Sequence, residues 1–261
     1  MIALDAERVA AARALHTAPI QNARFYMSPT SRRESGSDAA SLPPGSYDID
    51  CVRCARLAKF LAAVRVEHPA YFCRPVAPFG DPAARLVIVG LAPGKHGANA
   101  TGRPFTGDYA GLLLYRTLFE FGFSNAPESL GAADGLRLAG ARITNAVKCL
   151  PPANKPLPAE VRNCNAYLAA ELSALPGRAA VLALGRIAHD AVLRALALPA
   201  REHPFAHGAS HALSPGVRFF DSYHCSRYNA NTGRITPAMF RAVFRAIVRH
   251  LDRERTREQA A

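Results

Sequence analysis

Short apolar runs alternate with helical patterns through most of this 261-residue chain, and this alternation restricts its fold more than any other feature. Each run is rich in Val, Ile, Leu or Ala, and the segment that follows has apolar residues at helical spacing. The predicted strands are 86–89, 142–147, 179–184 and 217–223. The predicted helices are 111–121, 160–175, 185–198 and 237–251. Repeated units of this kind form a parallel sheet with helices on both faces. We therefore predict an α/β fold, a three-layer αβα sandwich around a four-stranded parallel sheet.

The segments outside this alternation suggest how the chain is organised. We expect one domain over residues 49–252, which begins with a helix near residues 50–64. An N-terminal extension over residues 1–48 precedes it, with a short helix at residues 5–16 and a polar loop after that. Residues 253–261 are strongly charged, and we expect them to form a frayed tail.

The charge of the chain favours an acidic partner. Lys and Arg number 32 against 20 Asp and Glu, which gives a formal charge of +12. A domain this basic is typical of nucleic-acid binding, although a generally basic surface is the alternative. No apolar run approaches the roughly 20 residues that span a bilayer. The N-terminus carries acids where a signal peptide needs basic residues. We therefore expect a cytoplasmic protein that does not bind membranes.

Six cysteines are too few for a disulfide scaffold, so we consider whether they bind a metal ion or a cluster. Cys51 and Cys54 form a CxxC pair, which we place on a helix. Cys149, at a predicted strand end, and Cys164, in the next helix, can fold back as a second pair. Four thiolates suit zinc or an iron–sulfur cluster, and spacing alone does not choose between these. Unliganded buried thiols are the alternative, and we expect simple burial for the remaining two cysteines.

The ligand site of such a sheet lies beyond the carboxyl ends of its strands, and the segment after the first strand is unusual. Residues 90–108 read GLAPGKHGANATGRPFTGD, whose glycines let the backbone approach a ligand closely. This is not a nucleotide P-loop, because three residues rather than four precede the Gly-Lys pair. Phe105 and Asp108 are its one aromatic residue and its one acid. Core packing and a helix N-cap are the alternatives to a role in the site.

Two further strand ends carry polar groups that a core does not need. Asn145 lies late in a buried strand, where structural bonds or the edge of a planar base could satisfy its amide. Residues 224–234 read HCSRYNANTGR, a mixture that suits phosphate contact and insertion into a groove. A lone histidine is more often structural than catalytic, but His224 lies on the predicted active edge.

These three segments resemble the motifs of the type 5 uracil-DNA glycosylases, the iron–sulfur branch of the uracil-DNA glycosylase superfamily. The second of them reads NAVKCLPPANKP from residue 145, and the resemblance covers roughly residues 50–250. It implies a four-stranded parallel sheet between helices and a monomeric DNA repair enzyme. Such an enzyme flips uracil out of DNA and hydrolyses its N-glycosidic bond, leaving an abasic site. Hypoxanthine and other deaminated or damaged bases are further candidate substrates.

The resemblance also implies a role for each motif residue. Asp108 would stabilise the sugar cation or position the attacking water, and His224 would donate a hydrogen bond to the uracil anion. The implied base-pocket residues are Gly90, Leu91, Ala92, Phe105 and Asn145. The implied DNA contacts are Arg103, Ser226, Arg227, Tyr228 and Arg234. The implied ligands of a 4Fe–4S cluster, now favoured over zinc, are Cys51, Cys54, Cys149 and Cys164.

One position separates this chain from related families, and another departs from the motif of the family that it resembles. Leu91 is apolar where related families carry a polar side chain, which is the mark of the type 5 group. Cys225 stands where the last motif of the type 5 family usually has proline, so this resemblance does not determine how that loop contacts the minor groove. Two other functions stay in view: a non-catalytic iron–sulfur or zinc DNA-binding regulator, and an enzyme that acts on small nucleotides. Substitution of Asp108 would be silent in the regulator, and only DNA binding would fall steeply with salt.

Overall fold

The computed structural model of the protein describes residues 42–259. Its helices are α1 (Ala55–Glu67), α2 (Ala98–Thr101), α3 (Tyr109–Glu120), α4 (Pro158–Ser173), α5 (Arg186–Ala195), α6 (Arg227–Asn231) and α7 (Pro237–Gln259). Its strands are β1 (Phe79–Gly80), β2 (Leu86–Gly90), β3 (Ala141–Asn145), β4 (Ala179–Leu184), β5 (Ser210–Ser214) and β6 (Val217–Ser222). The predicted helix over residues 5–16 and most of the predicted N-terminal loop lie outside the described residues.

The four predicted strands form the centre of the sheet, and all of them pair in parallel. The strand order within the described residues is β1-β3-β2-β4-β6-β5. Both edge strands, β1 and β5, are antiparallel to their neighbours, and neither was among the predicted strands. The sheet is therefore mixed, with the predicted four-stranded parallel sheet as its core. Every residue of β2, β3 and β4 is buried, as expected for strands covered on both faces.

Helices cover both faces of this sheet and give the predicted three layers. On one face α3 and α7 bury Leu114, Leu118, Phe240 and Phe244 against the strands. On the other face α4 and α5 bury apolar residues against the same strands. Strand order places the carboxyl ends of β2, β3, β4 and β6 side by side. Loops that follow these strands therefore meet at one edge.

The C-terminal end differs from the expectation. Helix α7 continues to Gln259, so the frayed tail predicted for residues 253–261 is wrong as far as residue 259. Glu254, in that part of the helix, is buried. The charge of the segment is typical of a solvated tail, but contacts with the rest of the fold extend the helix. No helix in residues 42–259 combines the length and the apolar character needed to cross a membrane.

Candidate active site

A pocket of about 430 Å³ opens at the carboxyl edge of the sheet. Its walls come from the glycine-rich loop after β2, the end of β3, the first turn of α3 and the loop after β6. Most of the predicted site residues line it: Leu91, Ala92, Phe105, Asp108, Asn145, His224, Ser226 and Arg227. Three segments that are distant in sequence therefore meet at the strand ends, where the ligand site of such a sheet is expected.

Phe105 and Gly90 shape one wall of the pocket. The Phe105 ring lies against the His224 ring, with centroids 5.9 Å apart and planes 27° from parallel. A Cβ atom on Gly90 would lie 2.7 Å from Phe105 Cε2 and 2.4 Å from Asn145 Oδ1. Only glycine at position 90 lets the ring and the amide come this close to the strand.

Asn145 ends β3 directly beside Gly90 of β2. The residue is buried, with 3% of its surface exposed, and its side chain lines the pocket. Within residues 42–259 its side-chain amide has no hydrogen-bond partner. Its polar atoms are not sealed inside the fold, so water or a ligand in the pocket can reach them. The alternative that structural bonds explain this asparagine finds no support.

Asp108 caps a helix and also lines the pocket. It is the N-cap of α3, and its Oδ1 accepts a hydrogen bond of 2.9 Å from the Gly111 N–H. Its Oδ2 faces the glycine-rich loop, 2.8 Å from where a Cβ on Gly97 would lie. Burial raises the pKa of Asp108 above its ordinary value, and backbone hydrogen bonds from Gly111 and Ala110 oppose that rise. One oxygen caps the helix and the other is available to the pocket.

His224 faces Phe105 from the loop after β6. Burial lowers the pKa of His224 to about 4, so the imidazole is neutral at pH 7. A neutral imidazole carries one N–H donor and can hydrogen-bond an anion without being charged itself. The loop is held locally, because the Asn229 amide donates to the His224 carbonyl at 2.8 Å. Cys225 behind it is fully buried, as expected for an unliganded cysteine.

The rim beside His224 carries the predicted DNA contacts. Ser226 caps α6 by accepting a hydrogen bond from the Asn229 N–H. Arg227 and Arg234 are exposed, and each guanidinium lies over a tyrosine ring. Tyr228 projects into solvent, with 73% of its surface exposed. These positions fit a surface that meets another molecule.

Arg103 does not belong to this rim, which corrects the expectation that it contacts DNA. Its side chain is buried and pairs with Asp134 at 2.7 Å. It also donates to Ser129 Oγ at 3.0 Å and to the Ala132 carbonyl at 2.8 Å. The guanidinium packs over the Phe79 ring, 4.4 Å from the ring centroid. With these donors occupied inside the fold, Arg103 cannot reach a phosphate.

The four candidate ligand cysteines line one cavity, next to Lys148 and Tyr167. Cys51 and Cys54 lie in the turn before α1 rather than on a helix, because α1 begins only at Ala55. The Lys148 N–H points at Cys164 Sγ at 3.3 Å, and the Asn163 amide at Cys54 Sγ at 3.7 Å.

Burial, and then the neighbouring Cys164, Cys51 and Cys54 thiols, raise the pKa of Cys149 to about 12. Four thiols thus share one largely apolar space. In the part of the chain that the structure describes, no three His, Cys, Asp or Glu side chains are grouped closely enough for a single metal ion.

Five residues that line the pocket were not among the predicted site residues: Gly94, Ala98, Tyr109, Ala110 and Asn154. Tyr109 directly follows the Asp108 cap and is partly exposed, beneath Arg227. Asn154 has a φ of 55° in the proline-rich loop after Cys149. The sequence did offer one indication of Tyr109 as a site residue, since an aromatic residue directly follows the capping acid.

Comparison with known proteins places this geometry in a family. Residues 77–248 match the model of the uracil DNA glycosylase superfamily, which is more than half of the chain. The chain belongs to the uracil-DNA glycosylase superfamily. The matched range holds the whole pocket and two of the four clustered cysteines, Cys149 and Cys164, while Cys51 and Cys54 precede it.

Within the superfamily the chain is similar to proteins named type-5 uracil-DNA glycosylase. One from Thermus thermophilus is 51% identical over 195 residues, which cover 73% of this chain and 89% of that protein. One from Pyrobaculum aerophilum is 45% identical over 204 residues, 74% of this chain and 88% of that protein. One from Mycobacterium leprae is 43% identical over 211 residues, 77% of this chain and 92% of that protein. The resemblance in the motifs is therefore confirmed across most of the chain.

Proposed function

We propose that this protein is a monofunctional uracil-DNA glycosylase, a DNA repair enzyme that hydrolyses the N-glycosidic bond of uracil and leaves an abasic site. One observation carries the proposal. The Asn145 side chain, whose amide has no protein partner within residues 42–259, lines a pocket that also holds Phe105, Asp108 and His224. The names of the similar proteins support the same activity.

The base enters the pocket as a flat, polar ring. Phe105 offers an aromatic face for stacking, and Asn145 offers an acceptor and donors for the Watson–Crick edge of the base. The Gly90 backbone and the small side chain of Ala92 leave room beside them, and Leu91 contributes an apolar wall. Uracil satisfies the amide that the protein leaves unpaired, and this is the basis for selecting a base with complementary edge groups.

Bond cleavage separates positive charge on the sugar from negative charge on the departing base. Neutral His224 donates a hydrogen bond to the developing base anion, a role that can lower the barrier by about 3–4 kcal/mol. Asp108 stands across the pocket with one oxygen free of its capping role. Its carboxylate stabilises the sugar cation or orients the attacking water, and so replaces the polar side chain absent at Leu91.

The rim holds the DNA while the nucleotide is flipped, which costs a few kcal/mol. Arg227 and Arg234 supply positive charge for phosphates, and Ser226 offers a hydroxyl beside them. Tyr228 is the exposed ring that can fill the gap left in the base stack. The formal charge of +12 favours encounter with the polyanion. DNA containing uracil or another deaminated base is thus the proposed partner of a cytosolic, monomeric enzyme.

The cysteine cavity is the proposed site of a 4Fe–4S cluster held by Cys51, Cys54, Cys149 and Cys164. The donor set fits, since four thiols share an apolar cavity and two of them receive N–H groups. A single zinc ion would need all four sulfurs about 2.3 Å from one point, and the thiols are not grouped that closely. When bound, such a cluster would link the segment before α1, the loop after β3 and α4.

Duplex oligonucleotides that carry uracil, hypoxanthine or ethenocytosine test the activity directly. Incubation followed by alkaline cleavage of abasic sites should break the uracil strand at the position of the base. Absence of cleavage, together with tight and salt-sensitive binding, would favour the non-catalytic regulator. Release of base from free deoxyuridine nucleotides that persists at high salt would favour a small-nucleotide enzyme. Anaerobically purified protein should be brown and contain about four irons per chain. Colourless protein with one zinc would contradict the cluster.

A further inference from the structure

Phe105 holds its ring in the pocket by means of an unusual backbone. Its φ is 56°, in the left-handed region that residues with a side chain rarely adopt. Such a conformation costs free energy and persists only where surrounding contacts over-determine it. The contacts that hold Phe105 therefore also determine where the base would stack.

Arg103, two residues earlier, is fastened to a single external loop. Its guanidinium donates to Asp134 Oδ1 at 2.7 Å, to Ser129 Oγ at 3.0 Å and to the Ala132 carbonyl at 2.8 Å. The ion pair is shielded from solvent, since 7% of the Arg103 side chain and 14% of the Asp134 side chain are exposed.

The same loop also holds the residue after Phe105. The Thr106 and Ser129 hydroxyls hydrogen-bond at 2.6 Å. A third contact comes from α3, where the Tyr115 hydroxyl donates to the Pro104 carbonyl at 2.7 Å. Phe105 is thus fixed by its neighbours on both sides while its own ring is left to the pocket.

Asp134 organises the loop as well as the arginine. Its Oδ2 accepts from the Leu130 N–H at 2.8 Å and from the Gly131 N–H at 3.2 Å. Its Oδ1 accepts from the Leu136 N–H at 2.9 Å in addition to Arg103. Against the effect of burial, Arg103 and these backbone groups lower the pKa of Asp134 to about 2. The loop is therefore folded around a carboxylate that stays ionised.

We propose that Arg103 and Asp134 are positioning residues, which hold the Phe105 backbone in its left-handed conformation so that the ring stands in place before a base arrives. The inference rests on the proposed function, because it gives the preformed ring a base to stack on. A ring that is already placed spares binding the cost of ordering it. Arg103 thereby acts on the base through Phe105 rather than on a phosphate.

The test compares Asp134→Asn with a matched control. Asparagine keeps one oxygen for the Leu130 and Gly131 N–H groups. It removes the charge and the second acceptor, which Arg103 and the Leu136 N–H share. Glu120→Gln removes the charge from another arginine pair, Glu120 with Arg241 at 2.6 and 2.9 Å, at the far end of α3. We expect Asp134→Asn to slow single-turnover uracil excision roughly 10- to 100-fold and to weaken inhibition by free uracil. Affinity for undamaged duplex should stay within about twofold, because the rim is unchanged.

Arg103→Lys keeps the charge that pairs with Asp134 but lacks the planar fork, so it should slow excision less than Asp134→Asn does. Glu120→Gln should lower thermal stability while leaving excision and uracil inhibition near wild type. If Asp134→Asn lowers only stability, as the control does, Arg103 and Asp134 are merely structural and the inference is overturned.

Hydrogen exchange of the Thr106 amide separates this inference from the proposed function. That amide bonds the Arg103 carbonyl at 3.3 Å, within the segment that contains Phe105. Exchange should accelerate in Asp134→Asn and stay unchanged in Glu120→Gln, whether or not the protein releases uracil. If wild-type protein fails to excise uracil, the proposed function falls and the exchange experiment still decides whether the pair positions Phe105. Unchanged exchange in Asp134→Asn would overturn the positioning role.

Discussion

Gly90 and Asn145 end neighbouring parallel strands in register, and a methyl group on Gly90 would come within 2.4 Å of Asn145 Oδ1. The same methyl group would approach Phe105 Cε2 to 2.7 Å. Both distances are shorter than a Cβ atom tolerates. The positions of the Asn145 amide and the Phe105 ring therefore depend on the absence of a side chain at Gly90. Strand pairing thus sets the width of the base pocket.

Gly90→Ala should abolish excision by pushing Asn145 and Phe105 apart. Gly177→Ala is the control, because a Cβ there would meet no atom within 4 Å and the residue lies just before β4, outside the pocket. Single-turnover excision should fall by roughly 10²-fold or more in the first variant and stay near wild type in the second. Circular dichroism and thermal unfolding would establish that both variants fold. Similar activity of the two variants would contradict the proposed pocket.

Asp108→Asn tests the carboxylate separately from the helix cap. Asparagine caps a helix about as well as aspartate, so stability should hold within about 0.5 kcal/mol. Burial raises the pKa of Asp108, so the negative charge itself does not stabilise the fold at pH 7, and asparagine keeps the capping oxygen. Cleavage should nevertheless fall about 10²-fold or more, with near-normal binding to uracil-containing duplex. A rate within threefold of wild type would leave Asp108 as a cap alone.

Asn145→Asp should change base choice more than DNA affinity. The change replaces the donors of the amide with an acceptor-only carboxylate, which repels O4 of uracil and suits a cytosine amine. Excision assays on matched duplexes containing uracil or cytosine would measure the shift. An equal loss on every base, with lower thermal stability, would indicate a structural asparagine instead.

His224 predicts a pH dependence of folding stability. Its pKa is about 4 in the folded protein, whereas an unfolded chain binds the proton near its ordinary 6.5. Between these values the unfolded state carries more protons, so stability is lost as pH falls from about 6.5 towards 4. His224→Gln removes this contribution. The free energy of unfolding of wild type relative to the variant should decline between pH 7 and pH 5 in urea titrations. A constant difference would show that His224 is not desolvated.

The ion pair of Arg56 should stabilise the elements around the cysteine cavity. It forks onto Glu160 with two contacts of 2.7 Å, and Glu160 accepts the Leu157 N–H at the start of α4. Arg56→Ala leaves that buried carboxylate unpaired, so iron should be lost to a chelator faster and the melting temperature should fall. Arg162→Ala changes an exposed arginine of α4 and serves as the control. Equal rates of iron loss from both variants would contradict a stabilising role of the Arg56–Glu160 pair at the cavity.

The central strands and the pocket were predictable for local reasons. Parallel strands covered on both faces read as continuous apolar runs, as β2 and β4 do. Polar residues that follow such runs must gather at one edge, which places Asn145, Asp108 and His224 together. The edge strand β5 alternates between exposed and half-buried residues and has no apolar run to mark it.

Arg103 shows what could not be predicted locally. Within a glycine-rich loop an arginine looks like a phosphate ligand, and its true partner Asp134 lies 31 positions further along the chain. The helix end near Gln259 has the same explanation, since burial of Leu251 and Glu254 depends on elements distant in sequence. Charged side chains are ambiguous in sequence because burial decides their role.

The position of the cysteine pairs along the chain has a consequence for synthesis. About 95 residues separate Cys54 from Cys149, so the cavity has high contact order and cannot close until α4 has been made. At roughly 5–20 residues per second, the first pair waits on the order of 5–20 s for the second. During that interval two exposed thiols are open to oxidation or to a stray metal ion. Translation speed therefore sets how long each nascent molecule is vulnerable before its four thiols can enclose anything.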